Sequence, residues 1–324
     1  MAPIRIEVDV ESWALANAFV IARGSKTAAD VVVVRAMCDG HVGRGECVPY
    51  ARYGETVSSV VQQIRDAGEI TTRAALGSRL DAGAARNALD CALWDLEAKR
   101  SGQAAGTLAG LGPLRPLQTA YTLSLGTPGD MAHEAKAASD KPLLKLKLGG
   151  NGDADRLRAV RDARPDARLV ADANESWSAD IYAHVAPLAA QLGVELIEQP
   201  FSANDDEALL TLPRPVPICA DESAHTTTDL VRLKGRYDAV NIKLDKAGGL
   251  TEALAMAEAA QAQGFRIMAG CMVATSLAMA PAVLVAQRAD WIDLDGPLLL
   301  AKDRPNGLRF EGSLVHPPTP ALWG

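Results

Sequence analysis

Residues 142–149 read Pro-Leu-Leu-Lys-Leu-Lys-Leu-Gly. On a β-strand, residues two apart point to one face. Lys145 and Lys147 therefore look one way, and Leu144, Leu146 and Leu148 the other. Two ammonium groups on one face repel, which predicts a lowered pKa for at least one of them. A lysine tuned in that way is a base near neutral pH. Taken alone, the pattern also fits a strand showing a polar face to solvent. The chain downstream favours chemistry.

Short apolar strands alternate with helical segments from there on. Strands are expected at 117–125, 143–148, 167–171, 194–198, 218–220, 239–243, 266–270 and 291–294, with helices such as 154–163, 180–192, 251–263 and 276–287 between them. Eight such units predict a closed parallel barrel. Five of the strands close on a charge: Lys147, Asp172, Glu198, Asp221 and Lys243, spaced by 25, 26, 23 and 22 residues. Each gap is one strand–helix unit, so every charge returns to the same rim, the C-terminal rim where barrel active sites sit.

Asp172, Glu198 and Asp221 come from three adjacent strands. Carboxylates converging on one point repel unless a cation neutralises them. All-oxygen ligation without histidine or cysteine favours Mg²⁺ over zinc. In an eight-strand ring, strands two and six lie opposite, so Lys147 and Lys243 face each other with the acids between. One lysine can remove a proton next to a carboxylate while the other returns one from the opposite side. The developing charge is met by the metal. A single base would suit elimination equally well; two facing bases suit a racemase or epimerase better.

Strand eight carries Asp293 and Asp295, again on one face. It lies opposite strand four, away from the metal, so this pair reads as a site for a substrate ammonium group. The other reading is loop capping next to Gly296-Pro297, since aspartate is common in turns.

Before the barrel, residues 4–10 alternate as a half-buried strand, residues 12–26 read as irregular, and a β-branched run at 31–37 turns at Asp39-Gly40 into a hairpin partner at 42–47. Helices are expected at 56–67 and 82–100. Asn87, Asp90 and Trp94 on the second helix read as packing or hydrogen-bonding residues. The organisation expected is α/β: an α+β capping domain at 1–112, a modified TIM barrel at 113–298, and a proline-rich tail at 299–324 that packs back on the cap.

The chain has 324 residues, 48 % of them hydrophobic and 23 % charged, with a net charge of −7. There is no basic footprint for nucleic acid and no reason to expect a membrane partner. The five cysteines (Cys38, Cys47, Cys91, Cys219 and Cys271) are odd in number and lack close pair spacing. Reduced thiols in a cytoplasmic protein are expected. The N-terminus is charged, without the apolar stretch of a signal peptide. No apolar run is long enough to span a membrane. The sequence leaves a homo-oligomer open.

Lys-x-Lys at 145–147, Asp-x-Asn at 172–174, Glu198, Asp221-Glu222 and Lys243 together resemble the enolase superfamily in its muconate-lactonizing subgroup, where a lysine base paired with Mg²⁺ is a known arrangement. The resemblance covers nearly the whole chain. It implies a capping domain, a (β/α)₇β barrel and a returning tail. Asp293-Leu-Asp295-Gly-Pro, with Phe19-Val-Ile-Ala-Arg-Gly-Ser-Lys26 and Tyr50-Ala-Arg-Tyr-Gly-Glu-Thr56, is similar to the dipeptide epimerases, in particular the L-Ala-D/L-Glu epimerase family. These are isomerases that interconvert L-Ala-D-Glu and L-Ala-L-Glu from murein peptides.

The resemblance implies that Lys147 and Lys243 are the acid/base pair. It implies that Asp172, Glu198 and Asp221 hold Mg²⁺, reinforced by Asn174 and Glu222. Asp293 and Asp295 would hold the dipeptide ammonium. Lys145 would tune Lys147 and touch the substrate carboxylate. Thr122 and Cys271 would be substrate contacts. The stretch around 19–26 closes over the site in the family, and a basic residue there would read the glutamate side chain. Arg23 is favoured for its bidentate fork, with Lys26 as its rival, a point charge of looser selectivity. Lys246, past the strand end, reads as structural. An o-succinylbenzoate synthase or muconate-type cycloisomerase on the same scaffold is the rival enzyme reading. Those substrates lack an ammonium group, so the paired aspartates argue against them. A barrel that binds metal or peptide without catalysis is a third reading, and it has no use for two facing lysines.

Overall fold

The computed structural model describes residues 3–70 and 72–324. The chain begins with an antiparallel sheet of β1 (Arg5–Ile21), β2 (Gly24–Cys38) and β3 (His41–Cys47). Residues 12–26, expected to be irregular, instead extend β1 and open β2. The ladder runs from Arg5 opposite Met37 to Ile21 opposite Gly24, with a register irregularity between Ala14 and Phe19. That irregularity breaks the period-two pattern on which the sequence reading relied. Asp39 (φ 50°) and Gly40 (φ 78°) make the β2–β3 turn, as Asp-Gly requires.

Helices α1 (Val57–Asp66), α2 (Ala84–Ser101) and the short α3 (Ala105–Leu108) follow. Helix α2 lies on β3 at backbone contact. A Cβ at Gly43 would come within 2.1 Å of the Ala92 carbonyl oxygen, and one at Gly45 within 2.1 Å of that of Ala88. The absence of a side chain at these positions permits the close approach.

The expected strand 117–125 is split. β4 (Leu117–Gln118) pairs with the tail, in a small sheet with β13 (Phe310–Glu311) and β14 (Leu314–Val315). β5 (Tyr121–Leu123) opens the barrel and leads into α4 (Pro128–Ala137). The barrel continues through β6 (Leu143–Lys147), α5 (Asp153–Ala163), β7 (Arg168–Asp172), α6 (Ala179–Gln191), β8 (Val194–Glu198), β9 (Ile218–Ala220) and α7 (Leu230–Leu233). It ends with β10 (Ala239–Ile242), α8 (Leu244–Ala247), α9 (Leu250–Ala262), β11 (Arg266–Ala269), α10 (Ser276–Ala286) and β12 (Trp291–Ile292). The eight strands β5 to β12 pair in sequence order, all parallel. The Ala120 N–H donates to the Ile292 carbonyl at 2.7 Å, which brings the two ends of the sheet together.

The antiparallel unit is tied to the barrel by polar contacts. Asn87 Nδ2 donates to Asp245 at 2.9 Å, and Asp90 accepts from both the N–H and the hydroxyl of Thr251. Trp94 Nε1 also donates to Thr251. The three polar positions of α2 are thus docking contacts. Arg304 of the tail bridges Glu11 and the fully buried Glu46, and the Trp323 indole donates to the Cys91 carbonyl. No helix among the described residues is long and apolar enough to cross a membrane.

Candidate active site

The strand register brings the charges together. Lys147 is the ladder partner of Asp172, and Asp172 of Glu198. Asp172, Glu198 and Asp221 are all buried, as are Lys145, Lys147 and Lys243. Lys147 Nζ lies 2.6 Å from Asp172, and Lys243 Nζ lies 2.7 Å from Asp221. Asn174 donates its backbone N–H to Asp172, and Asn241 Nδ2 donates to Glu198 at 2.6 Å. Asn174, Glu175 and Gln199 all have positive φ (45°, 66° and 36°). Backbone strain of this kind persists where surrounding contacts over-determine it. Gln199 supplies such contacts: its oxygen accepts from the N–H groups of Asp221 and Ser223, and its amide donates to Ser223 and Tyr237.

Lys145 differs from expectation. Its Nζ contacts Asp293 and Glu198 at 2.7 Å each and Asp172 at 3.1 Å. Burial disfavours its charge, but Asp293, Glu198 and Asp172 outweigh that and hold its pKa well above the usual lysine range. Repulsion along the strand is therefore not what governs Lys145; the acids surrounding it do. Lys243 is raised for the same reason, with Asp221 and Glu198 overcoming burial. The Asp221 carboxylate is correspondingly held low: burial is outweighed by Lys243 and Lys246.

Lys246 is fully buried and donates to Asp221 Oδ1 at 2.6 Å and to the Asn241 carbonyl at 3.0 Å. The short helix α8 turns it back towards the rim. Its spacing of three from Lys243 was the available signal, because residues i and i+3 lie on one side of a helical turn.

At the far wall, Asp295 accepts from the Thr122 N–H at 2.7 Å, and Asp293 faces Lys145. Burial and Asp293 push Asp295 up to about 7. Cys271 lines the same cavity, but burial and then Asp293 and Asp295 hold its thiol well above the ordinary range. That environment disfavours a thiolate nucleophile. Thr122, Lys147, Asn174, Asp221, Glu222, Lys243, Cys271, Asp293 and Asp295 share one cavity of about 470 Å³, closed on one side by the tip of the β1–β2 hairpin.

Arg23, at that tip, reaches into the site. It donates to the Asn174 carbonyl at 2.9 Å, Glu175 at 3.1 Å, Glu222 at 2.7 Å and the Tyr50 hydroxyl at 3.3 Å. Arg52 grips the same Glu175 with two bonds of 2.8 Å. Glu175 and Gln199 had no assigned role in the sequence reading; Tyr50 belongs to the stretch 50–56 expected to wall the pocket, and it lines the cavity.

Among the described residues, no three acidic, histidine or cysteine side chains stand as a closed ligand set. Ammonium groups occupy the carboxylates instead. The donor chemistry nevertheless fits a hard cation. Asn174 Oδ1 and Glu222 Oε2 are buried without a hydrogen-bond partner. Glu198 Oε2 meets Lys145 only as an ion contact, outside hydrogen-bond geometry. Burial and the neighbouring Asp172 push Glu198 up to about 7, the expected sign of carboxylates crowded without enough positive charge.

Residues 4–110 match the mandelate racemase/muconate lactonizing enzyme N-terminal domain, and residues 130–321 match the enolase C-terminal domain-like family. The chain belongs to the enolase superfamily. Within it, the chain is 49 % identical to L-Ala-D/L-Glu epimerase of Escherichia coli K12, over 96 % of this chain and 99 % of that protein. It is 45 % identical to an N-acetyl-D-glutamate racemase of a Pseudoalteromonas species, over 87 % and 91 %. Its structure superposes at a TM-score of 0.97 on an enolase family member from Agrobacterium tumefaciens with homology to dipeptide epimerases, solved with sodium and L-Ala-L-Glu. The two are 52 % identical, covering 99 % of this chain and 100 % of that one.

Proposed function

We propose that this enolase-superfamily protein is a Mg²⁺-dependent dipeptide epimerase that interconverts L-Ala-D-Glu and L-Ala-L-Glu. The carrying observation is one cavity lined by Lys147 and Lys243, from strands on opposite sides of the ring, with Asp293 and Asp295 on its far wall. The nearly full-length likeness to the E. coli enzyme supports the same reading.

Asp172, Glu198 and Asp221 would hold the metal, steadied by Asn174, Asn241 and Glu222. Bound there, Mg²⁺ supplies positive charge against the negative charge that develops on the substrate α-carboxylate. One lysine, as the free amine, takes the Cα proton, and the C–H electron pair moves into the carboxylate. The other lysine, as the ammonium, delivers a proton to the opposite face. Configuration inverts, and the two lysines exchange protonation states. Asp293 and Asp295 receive the ammonium of the alanine residue. Thr122 fixes Asp295, and Lys145 balances Asp293 and the inner acids.

A second reading rests on the Pseudoalteromonas relative: racemisation of N-acetylglutamate, which presents the same Cα with no ammonium group. The two carboxylates at 293 and 295 weigh against it, because an acetyl group leaves them without a cationic partner beyond Lys145.

The test is incubation with Mg²⁺ in D₂O of L-Ala-D-Glu and, separately, N-acetyl-D-Glu, following the glutamate α-proton and optical rotation. Exchange with inversion of the dipeptide is expected; its absence would sink the proposal. Asp293→Ala is expected to raise KM for the dipeptide about 10-fold or more, the scale of a lost charge-assisted contact, with a smaller change in kcat. An unchanged KM would remove the ammonium role. A place in murein peptide recycling and a cytoplasmic location belong to the same proposal. Cys47, Cys91, Cys219 and Cys271 are free thiols, the first three of them buried, which supports a reducing compartment.

A further inference from the structure

Four buried lysines surround the carboxylates, and they fall into two kinds. Lys147 and Lys243 line the cavity; Lys145 and Lys246 do not. The first two form the acid/base pair proposed above. Each has one carboxylate partner among the described residues, Asp172 for Lys147 and Asp221 for Lys243. Lys145 is shared by Asp172, Glu198 and Asp293. Lys246 is left without a task in that mechanism.

Its surroundings fix it in place. An ammonium group has three protons, and three acceptors take them: Asp221 Oδ1 at 2.6 Å, the Asp221 carbonyl, and the Asn241 carbonyl at 3.0 Å. The side chain is 0 % exposed. The turn that carries it is held at both ends. The N–H groups of Lys246 and Ala247 donate to the Lys243 carbonyl. Arg86 of α2 donates to the Ala247 and Gly248 carbonyls at 2.6 Å and 3.1 Å. Lys243 Nζ, by contrast, donates only to the other oxygen of the same carboxylate, Asp221 Oδ2, at 2.7 Å among the described residues. A cation that takes Asp221 displaces one of these two ammonium groups. Lys243 can yield into the cavity it lines. Moving Lys246 would also strand the carbonyls of two buried residues, which is costly.

We propose that Lys246 is a positioning residue, the fixed counter-ion of Asp221: it holds that carboxylate at the rim and restrains the pull of the acid cluster on a metal ion, while Lys243 stays free to leave. This rests on the reading above of Asp172, Glu198 and Asp221 as the Mg²⁺ ligands. By Coulomb's law, an ammonium kept on a ligand carboxylate weakens that carboxylate's hold on a second cation.

The test is calorimetric titration of Mg²⁺ into the full-length protein freed of divalent ions, wild type against Lys246→Gln. Glutamine keeps a hydrogen-bond donor and removes the charge. The variant is expected to bind Mg²⁺ about 10-fold or more tightly. Na⁺, read by competition, is expected to gain about half as much on a logarithmic scale, because the Coulomb energy scales with the charge of the ion. A residue that merely fastened the turn would give the opposite sign, since its loss would disorder the ligand set. Weaker or unchanged Mg²⁺ binding overturns the proposal, and so does an equal shift for the two ions. Should the variant be unfolded without metal, Mg²⁺-induced refolding followed by circular dichroism reads the same affinity through linkage. Failure to refold at Mg²⁺ concentrations that saturate the wild type overturns the proposal as well. A wild type that binds no Mg²⁺ refutes the metal reading itself, which is a distinct result.

Discussion

Lys243→Met is expected to abolish conversion of L-Ala-D-Glu, lowering kcat by about 10²–10⁴-fold, and Lys147→Met to do the same. Both side chains are buried in the cavity, at the ends of the second and sixth strands. Methionine keeps the length and removes the titrating group, so the loss reports chemistry more than packing. The two variants should differ in what survives. In a two-base site each lysine serves one face of Cα, so each single variant should still wash deuterium into one configuration of the glutamate residue and not the other. The retained configuration should be opposite in the two variants. ¹H NMR of each pure diastereomer in D₂O measures this directly. Full turnover in both directions by either variant would refute the two-base mechanism. Mg²⁺ binding by calorimetry belongs beside it, because Lys243 also partners Asp221 and its removal leaves that carboxylate to Lys246.

Much of this site was legible because its spacing is architectural. Charges at 147, 172, 198, 221 and 243 recur once per strand–helix unit, and a parallel ring returns each to one rim. What periodicity cannot carry is the company each charge keeps. Considered as a pair, Lys145 and Lys147 suggested mutual repulsion. In the fold, Lys145 is surrounded by Asp172, Glu198 and Asp293, from strands three, four and eight, and its pKa moves up. Lys246 was set aside by counting residues past the strand end, whereas one short helix turns it back onto Asp221. The long β1–β2 hairpin was hidden because its ladder shifts register between Ala14 and Phe19. The first barrel strand was overextended because the chain changes sheets there. Thr119 donates its N–H to Ser313 of the tail, and its hydroxyl accepts from Leu294 beside the last strand. An apolar run records burial, not which sheet buries it.

Raising the pH from about 4 to 8 is expected to destabilise the metal-free protein through Asp245, a residue that neither motif nor spacing singled out. Asp245 is buried at the seam between the antiparallel unit and the barrel. It accepts from the Val48 N–H at 3.0 Å and from Asn87 at 2.9 Å. Burial pushes its carboxyl up to about 7, only partly opposed by those two donors, and Glu55 and Glu46 add to the rise. In the unfolded chain it titrates as an ordinary aspartate, near 4. Between those values the folded state binds the proton and the unfolded state does not, so stability falls as pH rises. The contribution is fully present below about 4 and lost by about 7. The full span corresponds to about 4 kcal/mol, less what local relaxation recovers. Asp245→Asn keeps an acceptor for both donors and cannot ionise. Urea unfolding of both proteins at pH 5 and pH 8 isolates the effect, since the other raised carboxyls, Glu46, Glu198 and Asp295 among them, are common to both. The variant should gain on the wild type by one to several kcal/mol on moving from pH 5 to pH 8. A difference independent of pH would show that Asp245 is ionised throughout and that its two donors outweigh burial.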